Sequence, residues 1–455
     1  MALSIIILAA GKGKRMHSDL PKVLHPVGGK PLLEHVIDTA EALGAGAIHV
    51  VYGHGGEQVR ERLGHRRVQW VEQAEQLGTG HAVAQALPAV SNHDRVLVLY
   101  GDVPLIRAAT LNGLLAAGEQ GSLGLLTAHL RHPQGYGRIV RDEAGQVEGI
   151  VEEKDATDAQ RQITEVNTGF LTASAEALKG WVAALDNANA QGEYYLTDVI
   201  AMAAREGGLI RTVAAESKAE ILGVNDRSQQ AELERHYQRD RARAVMAAGV
   251  TLMDPNRFDL RGTLRAGRDV TIDVNAVLEG DIELGDRVAI GPNAVLRNVR
   301  LGAGTQVFAN CVIEDAEVGA DARIGPFARI RPETRLADRV HVGNFVEIKK
   351  SEVGEGSKVN HLSYIGDTTI GTGVNVGAGT ITCNYDGANK HRTVIGDNAF
   401  IGSDTQLVAP VTVGAGATIG AGSTVTRDAP AGELTLSRAP QQTREGWKRP
   451  TKNKT

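Results

Sequence analysis

From Leu284 onward an aliphatic residue returns at every sixth position: Leu284, Ile290 and Leu296, then Leu301, Val307 and Ile313, then Val318, Ile324, Ile330, Leu336, Val342 and Ile348. The register runs on through Val353, Val359 and Ile365 to Ile370 and Val376, breaks, and resumes at Ile395, Ile401, Leu407, Val413, Ile419 and Val425. A helix repeats at 3.6 residues and a strand at 2, so neither accounts for a period of six. A β-helix does: three short strands make one coil, each ends at a tight corner, and each points one aliphatic inward. Glycine often follows the inward position, as at Leu284-Gly285, Ile324-Gly325 and Ile419-Gly420, and 54 of the 455 residues are glycine, well above the usual ~7%. Large rings do not fit so narrow a stack, and Phe308 is the sole aromatic residue between Asp259 and Pro326. Each stacked Val, Ile or Leu contributes ~1.5–3 kcal/mol relative to exposure, so Ile324→Asp is expected to unfold this region locally.

The chain before the repeat has a different rhythm. Apolar runs at 4–8, 32–42, 47–52, 68–72, 83–87 and 96–100 alternate strand-like and helix-length stretches as far as about Asn225. That order implies βαβ units and a mainly parallel sheet whose ligands sit beyond the carboxyl ends of its strands. Residues 228–248, with Leu233, Tyr237, Ala244 and Val245 at helical spacing among charged residues, predict one long connecting helix; Gly249 and Asp254-Pro255 mark its end. The expected organisation is therefore α/β: a Rossmann-like unit over 1–227, a linker helix over 228–248, a β-helix over 249–440 and a basic tail over 441–455.

A chain of 455 residues exceeds what one core usually organises. Its net charge of −5 gives no sign of a nucleic-acid or membrane-surface partner. Cys311 and Cys383 lie 72 positions apart with no CxxC pair, which argues against a disulfide framework or zinc knuckle and fits a reducing compartment. The apolar start at 5–10 is too short to span a bilayer, and its positive charges follow it. A cytoplasmic location is expected.

Leu8-Ala9-Ala10-Gly11-Lys12-Gly13-Lys14-Arg15-Met16 follows the first strand, at a strand-to-helix turn where backbone N–H groups can face phosphate oxygens. Lys12, Lys14, Arg15 and Lys22 add charge suited to a triphosphate, although a solvated basic turn accounts for the same spacing. Asp102 follows the run at 96–100 at its carboxyl end. It reads as a magnesium ligand or as a surface-turn aspartate. Taken with Gln73-Ala74-Glu75-Gln76-Leu77-Gly78-Thr79-Gly80-His81, Gly135-Tyr136-Gly137-Arg138 and Asn167-Thr168-Gly169, these motifs resemble the bacterial bifunctional N-acetylglucosamine-1-phosphate uridylyltransferase and glucosamine-1-phosphate acetyltransferase family over almost the whole chain. The resemblance implies a left-handed parallel β-helix of hexapeptide repeats. It also implies that Leu8, Ala9, Gly11, Lys22, Gln73, Gly78 and Thr79 hold the uridine nucleotide, Gln73, Gly78 and Thr79 near the base, and that Tyr100 lines the same UTP and UDP-sugar site. Gly137, Glu152, Asn167 and Thr197 would contact the amino sugar, and Asp102 and Asn225 would share Mg2+.

In the β-helix the repeat breaks once, at 382–392, and just upstream stand Arg331, Lys349, Lys350, His361, Tyr364 and Asn375. A pure spacer has no need of such a polar set. Imidazole titrates near neutrality, and an amine must lose a proton as it attacks a thioester, so His361 is the expected general base. Arg331, Lys349 and Lys350 would clamp a sugar phosphate that Tyr364 and Asn375 orient. The resemblance assigns the same roles, places acetyl-CoA along Ala378, Asn384, Tyr385, Ser403, Ala421 and Arg438, and implies a homotrimer. Glucosamine-1-phosphate, N-acetylglucosamine-1-phosphate, UTP and acetyl-CoA are the implied small-molecule partners, with Mg2+ as cofactor. Two other readings stay open at this point: a single-activity sugar nucleotidyltransferase with a structural β-helix, and a β-helical scaffold with a degenerate nucleotide fold.

Overall fold

Ile5, Ile6 and Ile7 are all fully buried, as in a strand covered on both faces. The computed structural model, which describes residues 2–452 apart from 12, 54, 121 and 122, puts them in the strand at the middle of a sheet. Lys12 and the last three residues of the basic tail lie outside the described residues. The chain forms two compact units, Met1–Tyr237 and Gln238–Thr455. A single helix, Arg227–Ala247, gives its first turns to one and its last turns to the other.

The sheet of the first unit contains β1 (Leu3–Ala9), β2 (Ala47–Tyr52), β3 (Gln69–Glu72), β4 (Arg95–Tyr100), β5 (Leu123–His129), β6 (Arg138–Arg141), β7 (Val147–Val151), β8 (Glu165–Ser174) and β9 (Ile210–Ala214). Its path is β9-β5-β8-β4-β1-β2-β3, with the β6–β7 hairpin joined to β8. All neighbours on that path are parallel except β8, which runs against both β4 and β5. Ile5 and Ile7 pack with Leu33, Val36, Ile37 and Ala40 of the helix Leu32–Ala42 on one face. Ile6 and Leu8 pack on the other with Ala82, Val83 and Ala86 of the helix Thr79–Ala86 and with Leu178, Trp181 and Val182. The carboxyl ends of β1 to β4 therefore share one edge, and β8, running the other way, brings Asn167 to the same edge. Its register shifts between Asn167 and Leu171.

In the second unit every aliphatic of the period-six register is buried, none more than 5% exposed. One face is an eleven-stranded parallel ladder; the other two start as shared long strands, such as Ala276–Leu284 and Val312–Val318, and separate beyond them. Ladder partners lie one coil apart, as in Ile330↔Ile348 and Ile348↔Ile365. Across the loop the offset widens, with Thr382 opposite Leu407. At that break the register passes to Thr382, which is buried, whereas Ile381 is 41% exposed. The Thr382 hydroxyl accepts the Gly366 N–H at 2.7 Å, so a polar residue can take an inward place. Ile324 is fully buried between Val307 and Val342. Ile324→Ala is expected to cost ~2–5 kcal/mol, read as an earlier β-unit transition in urea unfolding of the full chain. An unchanged midpoint would contradict this packing. Among the described residues no helix is long and apolar enough to cross a membrane.

Candidate functional site

In the first unit the expected nucleotide residues gather along the carboxyl edge of the sheet. Leu8 and Ala9 close β1, and Gly11 follows where an added Cβ would stand 3.8 Å from the tip of Lys22. Lys22 opens a short turn, Lys22–Leu24. Its Nζ donates to Asp102 Oδ2 at 2.5 Å and to Asn225 Oδ1 at 3.3 Å. The backbone carbonyl of Asp102 accepts the Val224 N–H at 3.0 Å, which delivers Asn225 to the same point, and Gln229 Oε1 accepts the Asn225 N–H at 2.7 Å. Three segments far apart in sequence thus converge two oxygen donors on one cation. Lys14 and Arg15, by contrast, are exposed.

A second group forms around the start of the helix Thr79–Ala86. Gln73 is buried and donates from Nε2 to the Gly78 carbonyl at 3.1 Å. Gly78 has φ +112°, and a Cβ there would meet the Tyr194 carbonyl at 2.6 Å, so glycine is required by both conformation and space. Thr79 Oγ1 accepts the Leu196 N–H at 3.1 Å. One residue on, Thr197 Oγ1 donates to Glu152 Oε1 at 3.2 Å. Burial raises the Glu152 carboxyl above its ordinary range, although the Thr197 hydrogen bond works against it. Gly137 accepts the Asn167 N–H at 2.9 Å, and Asn167 Oδ1 accepts the Gly169 N–H at 3.0 Å. Gly169, at φ +91°, leaves room for the Tyr100 ring, which a Cβ would approach to 2.4 Å. Burial, then the nearby Glu152 and Asp102 carboxylates, pushes the Tyr100 hydroxyl up, so it stays protonated. The carboxyl edge therefore offers backbone and amide groups around Gly78, a carboxyl and hydroxyls at Glu152, Thr197 and Tyr100, and a cation with two oxygen donors at Lys22.

On the β-helix, one outward column reads Arg261, Glu279, Arg297, Glu314, with ladder partners in register. Its charges alternate and pair: Arg261 with Glu279 at 2.8 Å, and Arg297 with Glu279 at 2.6 Å and Glu314 at 3.0 Å. The next two places are Arg331 and Lys349, one after each of the partners Ile330↔Ile348. Arg331 keeps the alternation, and Lys349 stands where it calls for an acid. Arg331 turns aside to Glu347 at 2.7 Å. Lys390, from the loop, adds to the surplus, and the Lys349 ammonium beside it lowers its pKa. Gly366 follows Lys349 in the column, and a Cβ there would meet Tyr364 Oη at 2.5 Å and Asn384 Nδ2 at 2.7 Å. Asn384 also donates to Asp367 Oδ2 at 2.5 Å.

His361 is exposed, at the corner after Lys358–His361. Its Nδ1 lies 2.9 Å from Oδ1 of Asn344, its ladder partner one coil earlier. An amide oxygen only accepts, so Nδ1 carries the proton and Nε2 keeps its lone pair for an incoming donor. The same corner continues through Ala378, Ser403 and Ala421: Gly379 N donates to the His361 carbonyl, Asp404 N to Ala378 and Gly422 N to Ser403. Arg438 Nη1 donates to the Ala421 carbonyl at 2.6 Å. Asn375 lies on a different face from Tyr364 and Lys349, opposite Lys358 and Phe400. Tyr385 is 60% exposed on the loop, whose Asp386 carboxylate accepts from Ala388 N, Asn389 N and the His391 ring. Sequence reasoning missed Asn344, Glu347, Asp367, Lys390 and the Tyr194 carbonyl. Counting back one coil from His361 finds Asn344; nothing in a sequence marks a backbone carbonyl.

Two family models match the chain: the MobA-like NTP transferase domain over residues 5–166 and the bacterial transferase hexapeptide of six repeats over residues 392–427. Among solved structures, a nucleotidyl transferase from Methanothermobacter thermautotroptrophicus is 20% identical over 52% of this chain and 99% of that one, with a TM-score of 0.39. A UDP-glucose pyrophosphorylase complexed with UDP-glucose is 16% identical over 53% of this chain and 100% of that one, with a TM-score of 0.44. The bifunctional protein GlmU of Thiobacillus denitrificans is 63% identical over 452 residues, 99% of this chain and 98% of that protein. With identity of that depth along both units, the chain belongs to the bifunctional GlmU family.

Proposed function

We propose that the chain carries out two consecutive reactions: acetyl transfer from acetyl-CoA to glucosamine-1-phosphate in the second unit, then uridylyl transfer from UTP to N-acetylglucosamine-1-phosphate in the first. The observation that carries the reading is the interrupted charge column, since Arg331 and Lys349 make an anion site within a coil of a histidine whose Nε2 is free. In the first reaction the sugar amine attacks the thioester carbonyl, His361 Nε2 takes the amine proton, and the CoA thiolate leaves. Arg331 and Lys349 hold the sugar phosphate, and Tyr364 and Asn375 orient the ring. Ala378, Ser403 and Ala421, with Arg438 at the end of their row, would guide a long thioester toward His361, and Asn384 and Tyr385, past the far end of the strand Ile381–Cys383, would contact it from there.

In the second reaction a phosphate oxygen of the acetylated sugar attacks the α-phosphorus of UTP, and pyrophosphate leaves. Such a step needs positioning and positive charge more than a protein nucleophile. Asp102 and Asn225 supply a carboxylate and an amide oxygen, hard donors that already converge on a cation, and they fit Mg2+. Bound there, Mg2+ would neutralise charge on the phosphates. Lys22 and the Gly11 backbone face the same phosphates. Gln73, Gly78 and Thr79 hold the base, while Gly137, Glu152, Asn167, Thr197 and the protonated Tyr100 hold the sugar. The reaction is placed in the cytoplasm.

A homotrimer that completes each acetyl-transfer site from a neighbouring copy accounts for Asn375 standing on a different face from Tyr364. Phe327, Phe345 and Leu362 support it: they sit at the same corner of successive coils, all with positive φ, and are 49%, 55% and 64% exposed. The two rings stack at 5.3 Å. Bulky residues held in a left-handed conformation, next to His361 and facing water, are costly unless something covers them.

The whole reading is tested by a coupled assay with glucosamine-1-phosphate, acetyl-CoA, UTP and Mg2+, leaving out one component at a time. Loss of UDP-N-acetylglucosamine at each omission is expected, and product formed without acetyl-CoA would defeat the acetyl-transfer half. Asn344→Ala should lower acetyl transfer ~10- to 100-fold by freeing the His361 tautomer, with uridylyl transfer unchanged. An unaffected acetyl-transfer rate would remove Asn344 from the mechanism.

A further inference from the structure

Lys22 does more in this arrangement than wait for a phosphate. Its side chain is 12% exposed, that of Asp102 is 16% exposed, and the ammonium bridges Asp102 Oδ2 and Asn225 Oδ1 at 2.5 and 3.3 Å. These residues are the pair assigned to the divalent ion; Asn225 offers it no other side-chain oxygen, and Asp102 offers only its second carboxylate oxygen besides. A divalent ion held by both residues would stand beside the ammonium, and two cations so close in a partly buried site repel strongly.

We propose that Lys22 is the resident cation of the uridylyl-transfer site, and that an incoming triphosphate must draw its ammonium away before Asp102 and Asn225 can hold a divalent ion. This rests on the magnesium reading of that pair. The path for the movement is short. Gly11, in the phosphate-facing loop, has no side chain on the near side of Lys22, where a Cβ would stand 3.8 Å from both Cε and Nζ. The stem is anchored, since a Cβ on Gly13 would strike Lys22 Cβ at 2.8 Å, so only the tip has room to swing. Asn225 is fixed from behind by Gln229 and by the chain through Val224, so the oxygen pair stays in place when the ammonium leaves. In the ground state the lysine satisfies Asp102; with a triphosphate bound, the phosphate oxygens satisfy the lysine, and the carboxylate is released to the metal. Nucleotide and metal then bind with positive coupling, and each must raise the affinity of the other by the same factor.

The test is a Mn2+ titration of the full-length protein, followed by electron paramagnetic resonance, without nucleotide. Lys22→Met should bind Mn2+ at least about tenfold more tightly than the parent, the factor set by removing one competing charge-assisted hydrogen bond. Lys22→Arg, which keeps the charge, should stay as weak as the parent. Adding Asp102→Asn to Lys22→Met should abolish the gain. Lys22→Gln repeats the measurement if Lys22→Met does not fold, with circular dichroism as the check. Mn2+ binding by the neutral variants no tighter than by the parent overturns the proposal. The same titrations with UTP present separate the two ideas. If Asp102→Asn weakens Mn2+ in the ternary complex while Lys22→Met shows no gain without UTP, the magnesium reading stands and the resident-cation proposal falls. If Asp102→Asn leaves the ternary complex unchanged, both fall.

Discussion

Replacing His361 by alanine is expected to lower acetyl transfer by roughly 10²–10⁴-fold and to leave uridylyl transfer at the parental rate. The magnitude is that of a general base removed from a step in which a proton must depart as a bond forms. The selectivity follows from where the residue stands: an exposed corner of the second unit, hydrogen-bonded to Asn344 one coil away. The sheet edge holding Lys22, Asp102 and Asn225 belongs wholly to the first unit. The substitution removes no inward side chain, since the neighbouring core positions are Val359 and Ile365, so the variant should melt with the parent. Separate assays of thioester consumption and of pyrophosphate release check both halves. A full acetyl-transfer rate in His361→Ala would return the β-helix to a structural part. Saturation with glucosamine-1-phosphate should not restore the rate, because in the proposed reading Arg331 and Lys349, and not the imidazole, hold the phosphate.

The difference between what could be read from residues and what could not has a physical pattern. The period of six named the inward aliphatics, because burial in a stack this narrow admits few other side chains. It misjudged the break, where Thr382 turns inward and Ile381 outward: a hydroxyl that accepts the Gly366 N–H is as acceptable there as a methyl group, and counting aliphatics does not see it. The charge column was legible in principle, since Arg297, Glu314 and Arg331 recur at the coil spacing. Its meaning depends on Lys349 breaking the alternation, which shows only once the coils are in register. Asp102 by itself reads more readily as a turn residue. What sets it apart is Asn225, brought against it by the Val224 N–H, and Lys22, brought from a third segment. Asn375 was grouped with Tyr364 by sequence, yet the two lie on different faces of the β-helix, because the coil turns two corners between them, one on each side of Thr368–Ile370.

Asp102→Ala is expected to lower uridylyl transfer by on the order of 10³-fold or more, the several kcal/mol that a metal's charge stabilisation is worth, and to spare acetyl transfer. On the magnesium reading, the divalent ion would lose its carboxylate and keep only the Asn225 amide oxygen. A weakened metal site is partly overcome by raising Mg2+, so the rate should climb with Mg2+, and it should level off below that of the parent because the amide alone would not fix the ion in place. Asp102→Asn keeps the shape and one oxygen donor but removes the charge, and should fall between the two. Measuring pyrophosphate release across a Mg2+ series for the three proteins, with thioester consumption beside it, decides the matter. Equal loss of both activities in a protein that still unfolds with the parent's transition would mean that the two reaction centres are not independent.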